Sequence, residues 1–384
     1  MKLCVVGAGF AGSVLARELA NEGHDIFIYD SRSHIGGNCY TERDIETNIL
    51  IHKYGPHLFH TENKKVWDYI NQFGEFIPFS HKVKVTTQGR VYSLPINLLT
   101  INQFFNKTLN PSEAYNYLQK LSDNSIVNPI SFEEQALKFI GSQLYEAFFK
   151  GYTLKQWGID PKELPTSILK RLPVNFNYND NYFNHPFQGM PVNGYTPIFE
   201  NILNHRNISL FLNYSFNKEE AEQFDHVFYT GPIDSWFNHS EGHLGYRTLD
   251  FQREVHIGDY QGCSVMNYSD FNIPYTRITE HKHFLPWETH SKTVIYKEYS
   301  RKCDINDIPY YPIRLVDDKG LLNLYVNMAL ESKKISFLGR LGTYRYLDMD
   351  VTIAESLNAS QIIRESIYNY NVIPVFFNEN HLIV

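Results

Sequence analysis

The sequence predicts a multi-lobed α/β chain, α+β in its outer lobes. An open parallel sheet stands at its start, with an inserted helical subdomain and an antiparallel sheet domain. Three observations predict this. A strand, a glycine turn, a helix and a second strand ending on an acid occupy the first 30 residues. Helical periodicity then fills the stretch from Leu98 to about Leu172. Residues 244–300 alternate polar and apolar side chains in short runs, as half-buried antiparallel strands do.

Lys2-Leu-Cys-Val-Val6 is the first strand, and Gly7-Ala-Gly9-Phe10-Ala11-Gly12 follows at once. A helical pattern runs from Ser13 to Asn21, and Ile26–Tyr29 is a strand ending on Asp30. The glycines let the backbone turn tightly and approach a pyrophosphate at a helix N-terminus. Asp30 lies roughly 20 residues on, where a carboxylate accepts ribose hydroxyls. This is a Rossmann-like dinucleotide site. Arg32-Ser-His-Ile-Gly36-Gly37-Asn38 then favours FAD over NAD, because paired glycines let the chain pass under a flavin nucleotide. An NAD domain runs from its acid into another crossover helix.

A helix is expected near Asn63–Phe73. Val83–Thr87 and Arg90–Leu94 alternate around Gln88-Gly89, a hairpin signal. Thr100–Thr108, Pro111–Leu121 and Phe132–Phe149 carry helical spacing, with Asn110 as a cap before Pro111. Ser131 and Glu134 suggest a capping box. Later elements are a helix at Gly194–Leu203, strands at Ile208–Leu212, Val227–Thr230 and Ile335–Leu338, and a helix at Met349–Tyr368. The FAD-binding domain is assigned to residues 1–78, 191–240 and 313–384. The helical subdomain takes 98–172, and the antiparallel sheet 79–97, 173–190 and 241–312.

A net charge of −7 leaves no basic footprint for nucleic acid. Four scattered cysteines, Cys4, Cys39, Cys263 and Cys303, fit reduced thiols, and Cys4 fits a small core residue. The nucleotide fold begins immediately, which leaves no room for a signal peptide. No apolar run nears the ~20 residues of a membrane helix. A cytoplasmic protein without membrane insertion is expected.

Lys150-Gly-Tyr152-Thr153-Leu-Lys-Gln-Trp157-Gly158 is dense in recognition side chains. Trp157 or Tyr152 suits stacking on a base, and Thr153 a sugar or phosphate oxygen; a helix end packing aromatics inward fits equally. Arg171, before Pro173, and Arg277, in Pro274-Tyr-Thr-Arg277, suit a diphosphate, which a guanidinium grips with two parallel bonds. Either could instead be a solvated charge. His57 and His60 lack a third ligand pattern, so no metal is expected. No GxSxG or P-loop occurs, so the chemistry falls to the flavin.

Together these segments resemble the UDP-galactopyranose mutase family over nearly the whole chain. The blocks are GAGFAG, HIGGN, YGPHLFHT, FFKGYTLKQWG, KRLPV, Asp180-Asn-Tyr-Phe183, PYTRITEHKHF, PYYP and GRLGTYRYLDMD. The resemblance implies interconversion of UDP-galactopyranose and UDP-galactofuranose, with the N5 atom of reduced FAD forming a covalent adduct at the anomeric carbon. It implies that Arg171 and Arg277 bind the diphosphate, Arg171 from a mobile segment that closes over substrate. Phe148, Phe149, Tyr152, Thr153 and Trp157 would form the uridine pocket. Tyr182, Tyr311 and Tyr346 would reach phosphates, with Asn267 near the diphosphate or sugar. His57 and His60 would lie beside flavin and sugar. Gly7, Gly9, Phe10, Ala11, Gly12, Asp30, Ser31, Gly37, Asn38, His57 and Leu58 would hold FAD, with Arg340, Asp348 and Met349 closing it. A homodimer and a reductant for the flavin are implied as partners.

One position departs from the family pattern. His81 stands where an asparagine near the substrate is usual. The choice between UDP-galactose and UDP-N-acetylgalactosamine is open there. Two other readings compete: an amine-oxidase-type flavoenzyme, and a nucleotide-sugar sensor without turnover. The paired arginines and the Tyr/Trp segment argue against an amine substrate.

Overall fold

The computed structural model describes residues 1–166, 174–313 and 318–378. Five strands form one parallel sheet, in the order Ile208–Phe211, Asp25–Tyr29, Lys2–Val6, His226–Tyr229 and Ile335–Phe337. Lys2–Val6 is central, with parallel neighbours on both sides, and so reads as an unbroken apolar run from Leu3 onward. Its side chains alternate between faces. Leu3 and Val5 join a core under the helix Phe10–Asn21, whose neighbours are the helices Thr196–Leu203 and Met349–Tyr368. Cys4 joins the opposite core with Val227, Tyr325 and Phe337. It is fully buried, and burial pushes its thiol pKa up. The helix Asp318–Glu331, unforeseen in the sequence, covers that second face through Leu322, Tyr325 and Val326.

Because all five strands run the same way, their C-terminal ends line one edge. Gly7, Asp30, Thr230 and Leu338 each follow a strand there. That edge faces a seven-stranded sheet, ordered Tyr311–Pro312, Tyr246–Ile257, Lys292–Lys302, Arg277–Glu280, Val265–Tyr268, Val83–Thr87 and Arg90–Leu94. Every pairing in it is antiparallel except Val265–Tyr268 with Val83–Thr87. The two longest strands, of 12 and 11 residues, pair along their lengths where short runs had been expected. The anticipated hairpin forms, with Gln88 at φ 52° and Gly89 at φ 70°, the left-handed pair of a type I′ turn. Phe187–Pro191 pairs with Phe59–Thr61 and Phe76–Pro78 in a separate small sheet.

The helical stretch opens with Leu98–Phe105 and Pro111–Leu121. Asn110 caps the second through a complete capping box, worth about 1 kcal/mol. Ser131 caps the next helix, Phe132–Leu144, by accepting the Glu134 N–H at 3.2 Å. The reciprocal bond of a box goes elsewhere, since Glu134 accepts from the Ile130 N–H at 2.8 Å. Nor does one helix span Phe132–Phe149. Gly141 breaks it at φ 74°, and a Cβ there would lie 2.4 Å from the Leu121 carbonyl oxygen. The chain continues through a π-helical turn, Tyr145–Lys150, into the helix Gly151–Trp157. No helix among the described residues is long and apolar enough to cross a membrane.

Candidate active site

The edge of the parallel sheet is shaped for a dinucleotide. Gly7 donates its N–H to Tyr29 O at 2.8 Å, and Ala8 donates to Asp30 Oδ2 at 2.8 Å. Asp30 also accepts from the Arg32 N–H at 2.9 Å, so both loops are tied to one carboxylate. Gly9 and Gly37 then approach back to back: a Cβ on Gly37 would stand 3.3 Å from the Gly9 Cα. On Gly12 it would stand 1.9 Å from the Gly7 carbonyl oxygen, which only helix-to-strand contact without a side chain permits. Phe10 turns inward onto Phe199 at 4.4 Å, and Ala11 meets Gly339. Ser31 is exposed at the turn, whereas Asn38 accepts from Arg32 Nη2 at 2.8 Å. Arg32 also covers the Tyr54 ring, and its buried Nη1 has no partner among the described residues.

The C-terminal side closes on the same edge. Arg340 donates to Leu347 O and Tyr310 O and lies over the rings of Tyr346 and Tyr311, 5.0 and 5.7 Å away. Asp348 caps the helix Met349–Tyr368 by position without a side-chain bond, and Met349 packs against the first core. Between the halves runs the loop from His52 to His60. His57 donates its backbone N–H to His52 Nδ1 at 3.3 Å, and Tyr195 OH holds His57 O at 3.1 Å. Burial, then Arg340, push the His57 imidazole down to about 4, so it is neutral at physiological pH. Leu58 packs into the helical core. His60 stacks on Phe183 at 3.6 Å and shares a bond with His185 at 2.8 Å.

Across from this loop, Arg277 is the central cation. It sits on a strand with Glu298 directly opposite on one side and Asn267 on the other. Its Nε donates to Glu298 Oε1 at 2.9 Å. Glu298, Tyr152, Tyr311 and Tyr182 act on its charge, and it acts in turn on His57 and His81. Tyr311 and Tyr346 stack at 5.6 Å, 11° from parallel. Asn267 Oδ1 is buried with no partner among the described residues. His81 is 4% exposed, ringed by Phe79, Tyr182, Phe183 and Phe284, and burial pushes it down to about 3. Thr153 is buried and Trp157 half-buried on the helix Gly151–Trp157. Phe148 packs between Tyr92 and Phe104, and Phe149 is likewise buried in the helical core. Arg171 lies outside the described residues. Two clusters of metal-ligating side chains occur among the described residues, and neither contains His57 or His60.

The chain matches two family models. Residues 5–73 match an NAD(P)-binding Rossmann-like domain, and residues 147–346 match UDP-galactopyranose mutase. A probable UDP-galactopyranose mutase of Klebsiella pneumoniae is 58% identical over 97% of both chains. The chain belongs to the UDP-galactopyranose mutase family. A dTDP-fucopyranose mutase of Escherichia coli is 52% identical, over 94% of this chain and 98% of that one. A crystal structure of reduced UDP-galactopyranose mutase superposes at a TM-score of 0.73 with 16% identity, covering 95% of each chain; at that identity it speaks for the fold alone.

Within this mutase chain, sequence reading missed Glu298, Arg32 and His185. Glu298 carried a faint signal: an acid closely following the apolar Val294-Ile-Tyr296 on one strand needs a cation if it is buried. Arg32 sits inside the flavin-type segment Arg32–Asn38, whose sequence signal comes from its paired glycines and not from the guanidinium. His185 carried none, because its meeting with His60 spans 125 residues.

Proposed function

We propose that this chain interconverts UDP-galactopyranose and UDP-galactofuranose, using reduced FAD. The observation that supports it is the gathering of Arg277 with Tyr152, Tyr182 and Tyr311, across the His57 loop from the glycine edge. A guanidinium among phenols suits a diphosphate, and the glycine edge suits a dinucleotide cofactor. Gly9, Gly37, Asp30 and Arg32 would hold the FAD diphosphate and ribose, with Arg340 and the N-terminus of Met349–Tyr368 toward the flavin ring. When bound and reduced, FAD supplies the nucleophile for the anomeric carbon.

The protein's own work is electrostatic and positional. Arg277, with Arg171 as the family's matched second arginine, takes up the charge of the departing UDP. Tyr311, Tyr346 and Tyr182 orient its phosphates through their hydroxyls. Tyr152, Thr153 and Trp157 hold the uridine. Neutral His57 adds no charge of its own, so the fixed cations around it are the guanidinium groups of Arg277 and Arg340.

A dTDP-linked 6-deoxy sugar is a second reading, favoured by the 52%-identical relative. One assay separates them. Flavin-loaded protein is reduced with dithionite and offered UDP-galactose, UDP-N-acetylgalactosamine and dTDP-fucose in parallel, and furanose products are resolved by chromatography. Turnover of UDP-galactose by reduced protein only is expected. Equal turnover by the oxidised protein refutes the nucleophile role, and turnover of dTDP-fucose alone refutes the substrate.

A further inference from the structure

The helix Gly151–Trp157 and the loop leading to Arg277 meet at one side chain. Lys155 Nζ donates to four backbone carbonyls: Tyr268 O at 2.6 Å, Ile273 O at 2.9 Å, Asp270 O at 3.0 Å and Tyr275 O at 3.1 Å. Tyr268 ends the strand carrying Asn267, and the other three lie in the connection from it to the strand carrying Arg277. The same connection is pinned twice more to the helical side. Ser269 Oγ donates to Phe148 O at 3.0 Å, and a Cβ on Gly151 would lie 2.1 Å from Ser269 O. At the far end of the helix, Arg247 Nε and Ser300 Oγ donate to Gln156 O at 3.0 and 2.6 Å, capping its last carbonyls from the two longest strands.

We propose that Lys155 is a positioning residue that fixes the distance between the base-binding helix and the diphosphate-binding strands, and so couples recognition of the two halves of the nucleotide. An ammonium has three protons, and four carbonyls around it form a cage that closes a loop as a bound cation would. Burial pulls its pKa down to about 8, a desolvation that ordinary surface lysines do not bear. Without the ammonium the four carbonyls lose their shared donor, Asp270 O keeping the Ile273 N–H at 3.2 Å, and the loop moves off the helix. Tyr152, Thr153 and Trp157 would then keep their own helix, and Arg277 its own strand, but the spacing between them would no longer match one ligand. A 1 Å error in such spacing has large effects on binding and turnover.

This inference rests on the reading of the helix as the uridine site and of Arg277 as the diphosphate site. The test compares UMP and UDP binding to flavin-loaded wild type and Lys155→Met, together with flavin content and melting temperature. Wild type is expected to bind UDP more tightly than UMP. In Lys155→Met that advantage falls roughly 10- to 100-fold, while UMP affinity moves less than about threefold and flavin stays bound. Parallel loss of UMP, UDP and flavin would make Lys155 a folding residue only, and unchanged ratios would make it idle; either overturns the inference. Wild type showing no preference for UDP refutes the underlying site reading instead. Should Lys155→Met fail to fold, Ser269→Ala removes one bond of the same clasp. It is expected to lower the UDP/UMP ratio by a smaller factor, and an unchanged ratio overturns the inference.

Discussion

Arg277 and Glu298 lie directly opposite each other on adjacent strands, joined by one bond of 2.9 Å from Nε to Oε1. That is the only side-chain hydrogen bond of Arg277 among the described residues, so both terminal nitrogens remain for a ligand. Glu298 is 1% exposed. The same Oε1 also accepts from Thr276 Oγ1 at 3.3 Å. The carboxylate holds the guanidinium by its elbow and leaves the fork open.

Removing that acid should expose the cost of an unpaired buried cation. Glu298→Ala is expected to lower stability by about 3 kcal/mol. A diphosphate can stand in for the lost carboxylate, so UDP should raise the melting temperature more in the variant than in wild type. Turnover should fall, because the fork is no longer aimed. Melts with and without UDP check this, and an equal UDP shift in both proteins would show that Arg277 does not meet the diphosphate.

The fork itself is tested by Arg277→Lys. The charge and the Glu298 pair survive, while the two parallel bonds do not. UDP affinity is expected to drop roughly 10- to 100-fold with stability nearly unchanged. Arg171→Ala, at the second arginine of the matched motif, is expected to abolish nearly all turnover while flavin absorbance is retained.

Two glycines of one motif should fail differently. A Cβ on Gly9 has its nearest neighbour 3.9 Å away, at Gly37 Cα, so the apoprotein accepts it. It fills the channel where a pyrophosphate would pass. Gly9→Ala is expected to fold and to lose flavin absorbance. On Gly12 the Cβ would sit 1.9 Å from Gly7 O, so Gly12→Ala is expected to yield little folded protein. Flavin content against circular dichroism separates the two outcomes.

What the sequence disclosed was local. The strand–glycine–helix–strand start and the Gln88-Gly89 hairpin are set by neighbours a few residues apart, and so is the Asn110 cap. What it hid depends on distant partners. The kink at Gly141 comes from the approach of Leu121 O, which no periodicity records. The 12-residue strand Tyr246–Ile257 looked like fragments, because its outer half is only partly covered and its alternation is weak. Arg277 was legible by its motif, yet its counter-charge Glu298 is 21 residues away across a strand pair, and Lys155 finds its carbonyls more than 100 residues on.

Acid should unfold this protein early, through its histidines. His52, His57, His81, His226 and His281 are all held below the ordinary imidazole value, chiefly by burial. A folded pKa below the unfolded one means that the unfolded chain binds protons first as pH falls. Stability contributed by each neutral histidine is therefore intact above about 6.5 and declines below it, until the folded value is reached. For His226, pushed down to about 4, the window runs from about 6.5 to 4. The slope is up to about 1.4 kcal/mol per pH unit for each histidine. Asp44 and Glu280, held down to about 2, act in the same direction but only below about 4.5, so the range from 6.5 to 5 isolates the imidazoles. His226 Nε2 bonds Ser336 Oγ at 2.8 Å, and Ser336 in turn donates to Pro374 O, so the imidazole is the donor and Gln can replace it. His226→Gln is expected to reduce the slope of stability against pH by one proton between 6.5 and 5, measured by urea unfolding. An unchanged slope would mean that this ring is already protonated in the folded chain.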